Sequence, residues 1–211
     1  MVEWSIEAFR ACESIHSIAV ACPPGHVREL GGADDLTVVE GGKTRAVSVS
    51  NALAAVTTEL VAIHDAARPL VAPELVEGVV STLIADSKAD GAIAATPVTD
   101  TIKQVGAGEA SDAQAMRFDA DRVINASIEV ESTLDRARLW ATQTPQVFRT
   151  EALRDALAAD QDRVAAATDE AMLVEAAGGR VLIHPSPPEN LKVTTPLDLR
   201  VAELLLEGRS R

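Results

Sequence analysis

A chain of 211 residues is long enough to bury a full core and is expected to form one domain. Its 19 Lys and Arg stand against 32 Asp and Glu, a net charge of −13. That excludes a surface for nucleic acid polymers, whose binding rests on neutralising phosphates, but leaves room for one small nucleotide in a locally basic pocket. Hydrophobic residues make up 47% and aromatic residues 2%, so the core must be built from Ala, Val, Leu and Ile, as where helices cover a parallel sheet.

Cys12 and Cys22 belong to no CxxC or Cys/His cluster, which argues against a thiolate metal site and for small buried side chains in a reducing compartment. No apolar run approaches the roughly 18 residues of a membrane span. The N-terminal stretch "MVEWSIEAFRACES" is acidic and lacks a basic n-region. No signal peptide is expected, and the cytoplasm is the expected location.

In chain order, Val2, Ile6, Phe9 and Cys12 recur at helical spacing. "SIAVAC" (17–22) reads as a buried strand stopped by Pro23-Pro24-Gly25, and "LTVVE" (36–40) as a second strand ended by Gly41-Gly42. A helix is predicted over 44–56, with Thr44 as its N-cap. A third strand, "ELVAIH" (59–64), leads to a helix over 73–85 with Pro73 in its first turn. "GAIAATPV" (91–98) is the fourth strand. Strands alternating with helices in this way predict an α/β protein with a mostly parallel sheet. Residues 99–147 break the alternation and read as an extended arm that returns to the sheet near 140–148. Helices near 150–158 and 169–177, a strand over 179–185 and a last helix over 196–208 complete the expected single domain, 1–211.

Several stretches have the composition of a ligand site. Asp65 and Arg68 follow the third strand directly, and in open α/β sheets ligands sit beyond the carboxyl ends of strands. Asp65 could accept from a sugar hydroxyl or lie near a metal ion, and Arg68 could bind a phosphate; a capped turn with an exposed Arg is the plainer reading. "EGGKTRAVSV" (40–49) offers glycines for close backbone approach and free N–H groups where the helix starts, with Arg45 and Ser48 one turn apart on one helix face. Lys192, between apolar neighbours in "ENLKVTTPLDL" and read as lying in a strand, needs a partner, either a bound phosphate or a carboxylate such as Asp65. In "TDEAMLVE" (168–175) Thr168 is the expected N-cap, with Asp169 and Glu170 in structural roles. "GAGEAS" (106–111) imitates a phosphate-cradling loop, but no helix pattern follows it. His64 is expected to help cap the strand end rather than to catalyse.

Taken together and in order, "GGKTRAVSV", "VAIHDAARPLV", "PVTDTIK", "TQTPQVF" and "TDEAMLVE…ENLKVTTPLDL" resemble the 2-C-methyl-D-erythritol 4-phosphate cytidylyltransferase family over essentially the whole chain. The resemblance implies a Rossmann-like nucleotidyltransferase fold with a protruding β-arm, and a homodimer in which each arm reaches over the partner's site. It implies cytidylyl transfer from CTP to 2-C-methyl-D-erythritol 4-phosphate with Mg²⁺, in the non-mevalonate isoprenoid pathway. By the same resemblance, Asp65 and Arg68 lie where the two substrates meet, and Lys192 reaches the CTP α-phosphate. Gly42, Lys43 and Ser48 surround the cytosine, with Arg45 buttressing that loop. Thr101 and Arg136 grip the acceptor phosphate across the dimer, and Thr144 is a further acceptor contact. Asp65 is the one candidate protein ligand for the metal.

The chain departs from the family at one place. Family members begin with a strand and a glycine-rich loop carrying an Arg and a Pro-Lys pair, and neither has a counterpart here. The strands at 17–22 and 59–64 are therefore expected to lack a shared neighbour. One reading is that the native chain is longer, and activity of the 211-residue form is then in question. The other is a short paralogue that binds or dimerises without turnover; retention of the other site residues favours the first. Ribitol 5-phosphate cytidylyltransferase, which shares most of these motifs, is the alternative activity.

Overall fold

The computed structural model describes residues 1–27, 35–106, 128–159, 164 and 166–209. Two compact units divide the chain, residues 1–96 with 142–211, and residues 97–141.

In the larger unit the order is α1 (Val2–Arg10), β1 (Ile18–Cys22), β2 (Leu36–Glu40), α2 (Arg45–Leu53), β3 (Leu60–Ile63), α3 (Pro73–Ala85) and β4 (Gly91–Pro97). The smaller unit carries β5 (Lys103–Val105), β6 (Val130–Thr133) and a single 3₁₀ turn at Arg136–Arg138. The chain then runs through β7 (Trp140–Arg149), α4 (Thr150–Ala158), α5 (Glu170–Ala176), β8 (Val181–Pro185) and α6 (Pro196–Arg209). Apart from the strand expected around Lys192, each expected helix and strand of the larger unit is present, with ends shifted by a few residues. In the smaller unit β5 and β6 pair antiparallel, as an arm would. Most of the "GAGEAS" stretch lies outside the described residues.

The sheet is not one piece. β1 and β2 pair in parallel, and a separate four-stranded sheet has the order β3-β7-β4-β8. β4 and β8 are parallel, whereas β7 runs antiparallel to β3, so the expected mostly parallel sheet is interrupted where the returning segment inserts. The period-2 alternation of strands then sorts side chains to two faces. Ala92, Ala94 and Val147 join Phe9, Val76 and Val79 of α1 and α3 in one core. Ile93, Phe148 and Val61 meet Leu53, Leu153 and Val174 of α2, α4 and α5 in the other. Gly91 allows this close packing, since a Cβ there would come 2.5 Å from the ring of Phe148. Cys12 and Cys22 are buried and unpaired.

Among the described residues β1 pairs with β2 alone and β3 with β7 alone. The facing sides of β1 and β3 line a cavity of about 810 Å³, whose walls include Ile18, Val20, Leu60 and Ala62. Among the described residues these strands thus lack a shared neighbour, as expected.

Past the last paired residue, β3 and β7 are tied by side chains. The Thr144 hydroxyl accepts from the Asp65 backbone N–H (3.0 Å) and lies 3.1 Å from His64 Nδ1. His64 Nε2 is 3.2 Å from the Arg68 carbonyl. A carbonyl only accepts, so Nε2 carries the proton and Nδ1 accepts from Thr144. The imidazole, packed on Phe9 with ring centroids 5.2 Å apart, is neutral, and burial pushes its pKa down to about 4. His64 therefore closes the strand end, as anticipated.

Two outcomes follow from this arrangement. Amide exchange should be at least about tenfold faster in Ile18–Cys22 and Leu60–Ile63, each open on one edge, than in Gly91–Pro97, paired on both; equal protection measured by mass spectrometry would contradict the split sheet. A pKa depressed from 6.5 to about 4 means the unfolded chain binds the proton first. Stability should be full above pH 6.5 and fall as pH drops toward 4, by at most about 3 kcal/mol from this group. Urea titrations between pH 7 and 4 should give His64→Gln a shallower slope, by up to one proton, and identical slopes would rule the linkage out.

Candidate functional site

At the carboxyl end of β3, charged side chains from four parts of the chain, Asp65 among them, form one connected series. Lys192 Nζ lies 2.9 Å from Asp65 Oδ2, and Arg45 Nε lies 3.2 Å from Oδ1. Arg45 Nη1 in turn meets both oxygens of Glu170 at 2.5 and 2.6 Å. The carboxylate–guanidinium–carboxylate–ammonium series runs from the protein interior, where Glu170 is 1% exposed, to the wall of the cavity, where Arg45, Asp65 and Lys192 stand beside Ser48 and His64.

Each arm of this series is held by local structure. Arg45 opens α2, whose N-cap Thr44 accepts from Val47 N at 3.2 Å, as the sequence indicated. Ser48 Oγ donates to the Thr44 carbonyl and accepts from Gly42 N, both at 3.0 Å, folding the diglycine loop back onto the helix start. A Cβ on Gly42 would come 2.1 Å from the Val47 side chain, so this turn requires glycine. Lys43 beside it is exposed.

Lys192 lies in an extended connection and not in a strand, because its neighbours join no sheet. The connection is fixed by Val193 N donating to the Ala67 carbonyl at 2.8 Å. It is fixed again by the start of α6, where Asp198 accepts from Thr194 N and Thr195 N while Asp198 N donates to Thr195 Oγ1. That reciprocal cap, with Pro196 in the first turn, sets where Lys192 leaves the loop.

Arg68 is directed elsewhere. Its Nη1 donates to the Asn190 carbonyl at 2.8 Å, and its buried Nε has no partner among the described residues. Asn190 belongs to a buried polar cluster, donating from Nδ2 to Gln143 Oε1 and to the Thr144 carbonyl, both at 2.9 Å. Ser186 Oγ also donates to Gln143 Oε1, at 2.7 Å. Thr144 is 3% exposed with its hydroxyl engaged internally, so here it supports the strand end instead of presenting a free hydroxyl. Thr101 and Arg136 lie in the smaller unit, both exposed, with Arg136 Nη1 donating to the Thr99 carbonyl at 2.7 Å.

The electrostatics suit an anion. Burial alone would raise the Asp65 carboxyl, but the hydrogen bond from Lys192 and the charge of Arg45 hold it below its ordinary value. Burial opposes the charge on Arg45, yet Glu170 and Asp65 raise its pKa above the ordinary guanidinium value. Asp65 is thus a fixed anion with each oxygen facing a cation. No group of three or more metal-binding His, Cys, Asp or Glu side chains occurs among the described residues.

Sequence reasoning brought Asp65, Arg45, Ser48 and Lys192 to one place and missed two contributors. The sequence assigns Glu170 a structural role and gives no reason to single out Asn190. The cap of α5 is Asp169, not Thr168: its carboxylate accepts from Met172 N at 2.9 Å, which leaves Glu170 as the first helical residue, turned inward. The available signal was Glu170 among apolar residues in "EAMLV".

The family model for 2-C-methyl-D-erythritol 4-phosphate cytidylyltransferase matches residues 1–208. A protein of that name from Acidobacterium capsulatum is 38% identical over 216 residues, covering 98% of this chain and 82% of the relative. A bifunctional enzyme IspD/IspF from Anaeromyxobacter dehalogenans is 39% identical over 209 residues; there the chain spans about half, 49%, of the relative's length. The crystal structure of the cytidylyltransferase of this name from Thermus thermophilus superposes with a TM-score of 0.75 at 30% identity, covering 98% of this chain and 88% of that one. With the fold, the cation-flanked Asp65 and these matches in agreement, the chain belongs to the 2-C-methyl-D-erythritol 4-phosphate cytidylyltransferase family, a family of nucleotidyltransferase enzymes.

Proposed function

We propose that the chain transfers a cytidylyl group from CTP to 2-C-methyl-D-erythritol 4-phosphate, giving 4-diphosphocytidyl-2-C-methyl-D-erythritol and pyrophosphate for isoprenoid synthesis. The names of the relatives favour this acceptor over ribitol 5-phosphate. The observation that carries the reading is Lys192, an exposed ammonium held on Asp65 at the carboxyl end of β3, beside the first turn of α2.

In the reaction an acceptor phosphate oxygen attacks the α-phosphorus of CTP, a new P–O bond forms, and the bond to the β-phosphate breaks. The attacking oxygen is already anionic at neutral pH, so no general base is needed. The barrier lies in bringing two polyanions together and stabilising charge at phosphorus, and cations fixed in advance do both. Lys192 is the cation we assign to the α-phosphate. Arg68, anchored through Asn190, is assigned to the region where the substrates meet, with Gly42, Lys43 and Ser48 around the cytosine. The acidic chain makes such local cations the means of gathering CTP, since its net charge of −13 repels it elsewhere.

Mg²⁺ enters this proposal on the triphosphate, where it would neutralise phosphate charge. Asp65, with both oxygens already facing cations, is a poor additional ligand for it. Thr101 and Arg136 are assigned to the acceptor phosphate of a partner subunit in a homodimer. No described helix is long and apolar enough to cross a membrane, and buried unpaired thiols suit the reducing cytoplasm, where we place the chain.

The test is pyrophosphate release from CTP with methylerythritol phosphate and, separately, with ribitol 5-phosphate. Turnover with the first alone is expected. Lys192→Ala should lower kcat on the order of 10²–10³-fold while circular dichroism stays unchanged; near-normal turnover in this variant would refute the assignment.

A further inference from the structure

We propose that Glu170 is a positioning residue for the transfer reaction, acting through Arg45 to keep Asp65 available as the anchor of Lys192. This rests on the reading of Lys192 just given. Glu170 is 1% exposed, and a carboxylate there requires a cation. Its partner is one nitrogen of Arg45, Nη1, which both carboxylate oxygens approach at 2.5 and 2.6 Å. Holding the guanidinium by that nitrogen presents Nε to Asp65, so Arg45 takes one oxygen of Asp65 and leaves the other to Lys192.

Glu170 is itself held firmly. Gln146 of β7, 1% exposed, donates from Nε2 to Asp169 Oδ2 at 3.0 Å and accepts from Ala171 N through Oε1 at 3.3 Å. These bonds bracket Glu170 and tie the start of α5 to the sheet. The carboxylate is therefore a fixed reference charge, whereas Arg45, 36% exposed at its side chain, has room to move.

Without the charge on Glu170, Arg45 has one carboxylate left to pair with. A guanidinium fork then favours both oxygens of Asp65, and Lys192 is displaced from its anchor. The consequence belongs to Lys192: it becomes more mobile and more reactive, and it no longer meets the α-phosphate in one position. Glu170 touches no reacting atom in this scheme.

The experiment compares wild type, Glu170→Gln, Lys192→Ala and the double variant. Kinetics are measured with CTP and methylerythritol phosphate, and Lys192 is labelled with trinitrobenzenesulfonate and read by peptide mass spectrometry in the absence of substrate. Glu170→Gln should lower kcat about 10- to 100-fold with the KM for CTP within about threefold. It should also accelerate labelling of Lys192 several-fold while distant lysines such as Lys88 are unaffected. In the Lys192→Ala background the same substitution should cost little more, since both act through one group. Unchanged labelling, or an equal kcat loss in both backgrounds, overturns the proposal. If wild type shows no turnover, the functional reading fails, and the labelling arm still decides the positioning claim. Should Glu170→Gln not fold, Arg45→Met with Glu170→Met removes the buried pair together, an exchange that proteins often tolerate. That variant leaves Lys192 as the partner of Asp65, so labelling should slow at least twofold, and an unchanged rate overturns the proposal equally.

Discussion

The structure turns on the Asp65 carboxylate, fixed at the end of β3 with a cation on each oxygen. Its backbone N–H is bound by Thr144 from β7, and its side chain is bound by Arg45 from α2 and by Lys192 from the connection into α6. Three segments distant in sequence are thereby brought within one hydrogen bond of a single residue. Such a pairing holds two cations close together without leaving either unpaired, which is what the triphosphate site proposed above requires before a ligand arrives. Arg45 is held in turn by Glu170, so the order of the site extends inward to a buried charge.

Around this point the molecule tolerates unusual costs. A cluster of Gln143, Ser186, Asn190 and Thr144 lies buried, and Asn190 Oδ1 has no partner among the described residues. Each such group costs on the order of 1–3 kcal/mol, and polar clusters of this kind otherwise give way to apolar packing. Here the cluster orients the Asn190 carbonyl toward Arg68 and fixes Thr144 for His64 and Asp65. Stability is spent where side chains must hold one direction. The cavity lined by β1 and β3 is a second such cost, since among the described residues each of these strands is paired on one edge only.

The charge distribution follows the same division. The chain is acidic as a whole, yet Arg45 and Lys192 flank Asp65, with Glu170 as the second carboxylate of the group, and Arg68 follows Asp65 in the same turn. A phosphate polymer would have to cover the acidic exterior to reach these cations, whereas the small phosphorylated ligands proposed above would not.

Much of this was legible in the residues. Aliphatic runs ended by glycine or proline mark the strands, helical spacing and Thr44 mark α2, and Lys192 among apolar neighbours announces its need for a partner, a phosphate or a carboxylate such as Asp65. These are local matters of period, turn chemistry and the cost of an unpaired charge, and a single stretch of chain contains them. Tertiary structure decided the rest. It placed β7 antiparallel between β3 and β4, directed Arg68 to the Asn190 carbonyl, closed Thr144 onto His64, and turned Glu170 inward to Arg45, 125 residues away. None of these follows from neighbours in sequence, because the partner that makes each arrangement favourable is supplied only when the chain folds back on itself.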